Sequence, residues 1–190
     1  MKSVLISIKP KWVEKIASGE KTIEVRKNAP KEVPFKCYIY MTQGTYKDLG
    51  IYSEGIYQNR MKVIGEFLCD NVEMVNAKCS DYGIDLFYHD CLTKGCLTKR
   101  EIENYFNIPK DKDLRAMKGN GYVWRISDLK IYDKPKDWRE FYTIPESGSD
   151  CCCSCVWNET PLDEMPCRTC TLERKYLYRP PRSWQYVEEI

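Results

Sequence analysis

Between Pro10 and Arg26 the sequence changes period once, at Gly19, and that change limits the folds open to the chain. Pro10 suits the first turn of a helix, and Trp12, Val13 and Ile16 follow at the spacing that covers one helical face. After Gly19 the period falls to two: Lys21, Ile23 and Val25 point to one side, and Thr22, Glu24 and Arg26 to the other. A short helix therefore delivers a strand with a polar side, and that polar ladder faces something other than the core.

Further strands are predicted over 3–8, 35–42, 61–70, 122–132 and 184–187, where Tyr, Ile, Val and Trp concentrate. Thr98 and Glu101 match a capping box, Ile102, Tyr105 and Phe106 continue at helical spacing, and Pro109 stops that helix. A second short helix is expected over 137–142. Strands outnumber helices, so the predicted class is mainly β with helices (α+β), closed most simply as a small β-barrel with helices packed across it.

At 190 residues a single core is the default. The barrel domain is expected over 1–144, with an insertion at 43–60 where Gly44, Gly50 and Gly55 break any periodicity. A cysteine-rich insertion follows over 145–175, and 176–190 brings a last strand back to the barrel. No apolar run approaches the roughly 20 residues that a membrane-spanning helix needs, and the N-terminus lacks the pattern of a signal peptide. A cytoplasmic protein without a membrane partner is expected. The net charge of +2 excludes no partner, but its distribution is uneven: residues 1–36 hold nine Lys/Arg against four Glu, and the other residues hold 21 against 24 Asp/Glu.

Three groups of residues carry candidate chemistry. Glu24 and Arg26 either pair along an exposed strand face, a contact worth about 0–1 kcal/mol, or join Thr22 in a ladder that binds a polar ligand. Near the C-terminus Tyr176, Tyr178, Arg179, Arg182, Trp184 and Tyr186 interleave rings and cations, which suits base stacking with phosphate attraction. Trp184 and Trp124 serve equally well as strand core. Among eleven cysteines, Cys152-x2-Cys155 and Cys167-x2-Cys170 have the spacing of a structural, four-thiolate zinc site in a segment that lacks apolar residues to fold unaided; a reduced cysteine-rich loop is the alternative. Cys37 and Cys69 are expected as buried fillers, and the lone His89 as a surface or core residue.

The words Ile6-Ser7-Ile8-Lys9-Pro10-x-Trp12 and Gly19-Glu20-Lys21-Thr22-Ile23-Glu24-Val25-Arg26 resemble the ASCH domain family, related to PUA-like RNA-binding barrels. The resemblance covers 3–42, 61–72, 120–142 and 180–188. It implies a PUA-like barrel with a cleft lined by Lys21, Glu24 and Arg26. Some small bacterial members deacetylate N4-acetylcytidine with a strand threonine, a nearby lysine and a glutamate on a later helix. Lys21 matches the lysine, Glu24 stands where the nucleophile would be, and Thr93 or Lys94 where the glutamate would be. Thr22 is a substitute hydroxyl. Nuclease activity attributed to other members would use Glu24 or Glu66 as base with Lys21 and Arg26 on the phosphate.

The expected function is therefore cleft binding of RNA or a nucleotide-like ligand, through Lys9, Trp12, Lys21, Glu24, Arg26, Trp124, Arg182 and Trp184. The alternatives are a hydrolase acting on nucleic acid or nucleosides, and a zinc-stapled adaptor for protein partners.

Overall fold

A computed structural model describes residues 1–44, 55–110, 112–143, 175–177 and 179–189. Strand β1 (Ser3–Ile8) alternates as its sequence requires: Val4, Ile6 and Ile8 enter one core and Leu5 another. Pro10 begins α1 (Pro10–Ala17), which buries Val13 and Ile16, and Gly19 ends the turn at a positive φ of 79° that a glycine adopts without strain. The chain then enters β2 (Ile23–Arg26) and β3 (Phe35–Met41).

Two sheets result. The larger runs β7-β4-β3-β1-β10-β8-β9, with β1 parallel to β3 and antiparallel to β10. Its members are β4 (Val63–Cys69), β7 (Ser127–Lys136), β8 (Phe141–Thr143), β9 (Lys175–Tyr176) and β10 (Trp184–Glu189). The smaller sheet runs β2-β6-β5, with β5 (Val72–Asn76) and β6 (Asn120–Arg125). One face of the large sheet packs on α1 and on Trp124 of the small sheet. The other side of the small sheet, through Ile23, Val25 and Val123, packs on helices α2 (Asp81–Leu92) and α3 (Lys99–Phe106). Large sheet, small sheet and helices thus stack as layers, and each fully buried aliphatic or aromatic side chain contributes about 1.5–3 kcal/mol.

The α+β class with a sheet-rich core is as expected, but the described strands form two separate sheets rather than a closed barrel. The reason lies at Ile126: β6 pairs within the small sheet, β7 pairs with β4 in the large one, and the run expected as one strand over 122–132 changes sheets between them. The strand expected over 61–70 likewise ends at Cys69, and β5 follows as a separate edge. Helix α2 was not predicted, although Ser80 caps it by accepting from the Gly83 amide and Ile84, Phe87 and Cys91 are spaced along one face. The expected helix over 137–142 is a single 3-10 turn, Trp138–Glu140, which leads straight into β8. Residues 45–54, most of the expected insertion at 43–60, lie outside the described residues, as does nearly all of the cysteine-rich stretch.

Candidate functional site

Because Ile23 and Val25 are buried against the helices, the alternation of β2 turns Glu24 and Arg26 toward the large sheet. The ladder is therefore between layers, not exposed: Lys21, Glu24 and Arg26 retain only 3%, 7% and 9% of their surface. Lys21 precedes the strand and departs from its alternation, so it joins Glu24 rather than Ile23. Its ammonium lies 3.4 Å from Glu24 Oε2 and donates to the Gly95 carbonyl at 2.9 Å. Arg26 Nε lies 3.0 Å from Glu24 Oε1, while its two terminal nitrogens donate to the Ser7 carbonyl at 2.8 Å and to Ser183 Oγ at 3.3 Å. Two buried cations thus share one carboxylate. Glu24 Oε2 and Arg26 Nε have no well-directed hydrogen bond among the described residues, so the group is charge-paired but incompletely satisfied.

These three side chains form the floor of a cleft of about 550 Å³, a volume in the range of small-molecule sites. Lys9, Trp12 and Arg182 line it too. Three further residues came from α3 without having been predicted as site residues: Glu101, Asn104 and Tyr105. Their i, i+3, i+4 spacing puts them on one flank, beside the Ile102 and Phe106 stripe that enters the core, and that flank was legible in the sequence. Glu101 closes the capping box with Thr98 and forms an ion pair with Lys11, which lies 4.1 Å from the centre of the Trp12 ring. Partial burial pushes the Glu101 carboxyl up, but the Lys11 ammonium and the bonds to Thr98 outweigh it and hold it below the ordinary value. Burial pushes the Tyr105 phenol up.

Other expected site residues are elsewhere. Trp124 is fully buried, edge-on to Phe35 and Trp184, and the Trp184 indole donates to Asn28 Oδ1 at 2.8 Å; neither ring lines the cleft. Trp124 is core, because the strand pairing that sets it opposite Glu24 also carries it between the layers, and Trp184 packs half-buried against that core. Thr22 is exposed and lines a different depression with Asp90, Lys94 and Arg125, so it does not stand beside Glu24 as a nucleophile. Glu66 lies on the far face of the large sheet, accepting from the Tyr132 hydroxyl at 2.5 Å and pairing with Lys36. Thr93 and Lys94 do not line the cleft, and the helix carboxylate that does is Glu101. His89 is exposed on α2, and Cys37 and Cys69 are buried free thiols. No three His, Cys, Asp or Glu side chains are grouped to hold a metal among the described residues; Cys152, Cys155, Cys167 and Cys170 lie outside them, as does Tyr178. No helix among the described residues is long and apolar enough to cross a membrane.

Fold and cleft together define an α+β protein of two stacked sheets with a polar cavity between the layers. That fold is the ASCH-like one. The ASCH crystal structure from Zymomonas mobilis superposes with a TM-score of 0.53 at 15% identity, covering 98% of this chain and 88% of that one. Two variants of the same protein, one Tyr to Phe and one Ser to Ala, match at the same TM-score and identity, covering 91% and 89% of their chains. No family profile and no curated protein matches the sequence. The likeness at this identity is one of fold.

Proposed function

We propose that this protein binds RNA or a nucleotide-like ligand in the cleft between its layers. The observation that carries the reading is the Lys21–Glu24–Arg26 group, buried at the base of a cleft large enough for a nucleoside. A nucleobase offers donors and acceptors on one edge and a π-face for stacking, and the cleft supplies cations, two carboxylates and the Trp12 and Tyr105 rings. The stacking role assigned from sequence to Trp124 and Trp184 passes to these two rings. The test is titration of the purified protein with nucleosides, nucleotides and short RNAs, with binding and product formation read in parallel. Binding lost in Tyr105→Ala and kept in Tyr105→Phe supports the reading; RNA binding indifferent to both substitutions overturns it.

One observation favours a hydrolase as the second reading: two carboxylates, Glu24 and Glu101, line the same cleft as Lys21. Product formation in the parallel assay, lost in Glu101→Gln, would select it. We further propose that Cys152, Cys155, Cys167 and Cys170 hold one structural zinc, a reading supported by their spacing alone. A cytoplasmic location belongs to the same proposal, since the five cysteines that are described are all free thiols.

A further inference from the structure

The charges of the cleft are not balanced. Five cations line it, Lys9, Lys11, Lys21, Arg26 and Arg182, against the two carboxylates Glu24 and Glu101. Lys11 is matched by Glu101, and Lys21 and Arg26 share Glu24. Lys9 and Arg182 are exposed and have no ion pair among the described residues. Their placement follows from one staple. Ser7 donates its amide to the Ser183 carbonyl at 2.8 Å and its hydroxyl to the Pro181 carbonyl at 2.5 Å. The turn carrying Arg182 is thereby held against the end of β1, two residues before Lys9. Ser183 also accepts from Arg26, so this lip is tied to the floor.

Resting on the binding function proposed above, we propose that the ligand is a nucleotide bound as an anion, its base over the Lys21–Glu24–Arg26 floor and its phosphate between Lys9 and Arg182. The floor is the poorer place for the phosphate, because Lys21 and Arg26 are already paired there with Glu24, which a phosphate would have to displace. The lip is the right one: two cations without an ion pair among the described residues, from separate elements, offer charge-assisted donors at the solvent edge, where a phosphate keeps part of its hydration. A nucleoside would fill the interior and leave that charge unused.

The experiment compares the four ribonucleosides with their 5′-monophosphates by titration calorimetry at low and high salt, on wild type and on Lys9→Ala/Arg182→Ala. The wild type is expected to bind at least one monophosphate about tenfold more tightly than its nucleoside, since two charge-assisted contacts are gained, and added salt should shrink that ratio. In the double variant the ratio should fall toward one, with thermal unfolding confirming that the protein is folded. Equal binding of nucleoside and monophosphate by wild type, or a ratio unchanged in the double variant, overturns this proposal while leaving nucleobase recognition standing. Failure of nucleosides, monophosphates and short RNAs alike to bind overturns both.

Discussion

Arg26 is held by two carbonyl or hydroxyl acceptors and a carboxylate, so it acts as a bolt between β2, the end of β1 and the turn before β10. As an exposed ion pair it would matter little; buried, its removal leaves Glu24 with Lys21 alone in a low-dielectric setting. Arg26→Ala is therefore expected to destabilise the protein by about 3 kcal/mol, lowering Tm by roughly 6–12 °C. Glu24→Gln/Arg26→Gln should cost less than the two single changes added together, a non-additivity that a denaturation double-mutant cycle measures. Glu24 also decides the chemistry. A carboxylate locked between two cations is no substitute for an activated hydroxyl, so wild-type protein is expected to leave N4-acetylcytidine intact in a chromatographic assay. Glu24→Thr should gain turnover that Lys21→Ala then removes. That Glu24 and Arg26 belong together could be read from their spacing, but the place of Lys21 beside them and the burial of all three could not, because alternation separates two sides of a strand without saying what lies against either.

The elements around the cleft are held by local devices. Helix α3 starts at a capping box whose Glu101 also holds Lys11 of α1, so one carboxylate ties two helices across the cleft. Its folded-state value is depressed, so the stability it contributes is fully present above the ordinary carboxylate value near 4.5 and is lost as pH falls through the folded-state value. Glu101→Gln is expected to cost about 1 kcal/mol at neutral pH, and in urea titrations the gap between variant and wild type should narrow as pH falls below the ordinary carboxylate value and close below the depressed folded-state value. The loop after α2 makes a second device. The Gly95 carbonyl accepts from the Lys21 ammonium, and a Cβ on Gly95 would sit 2.7 Å from the Cys91 carbonyl oxygen. Gly95→Ala must shift that backbone, at a cost of about 1–3 kcal/mol, and should weaken ligand binding together with stability in parallel calorimetric measurements. The capped helix was legible because capping is a local pattern. Helix α2 carried similar signals, yet Gly83 near its start and the polar residues around His89 obscured them.

At the scale of the whole molecule, the described layers have apolar cores of their own. The proposed zinc would then order only the segment that carries it. Elemental analysis of freshly purified, reduced protein is expected to find one zinc per chain, and chelation should open residues 145–175 to protease while the Tm of the layered core stays in place. A metal-free preparation would reject the site. What the sequence alone determined is the set of local choices: β1, α1, β2, β3, the capped α3, the returning β10, and the words that point to an ASCH-like chain. Each depends on periodicity, caps and breakers, all of which act within a few residues. Only the tertiary structure decided that β6 and β7 part at Ile126 into different sheets, that Trp124 is buried core with Trp184 half-buried against it, and that Glu101 and Tyr105 face the ladder from a helix some eighty residues away in the chain. Those outcomes depend on which surfaces meet when the layers close, and a surface formed from distant segments leaves no spacing in the chain to read.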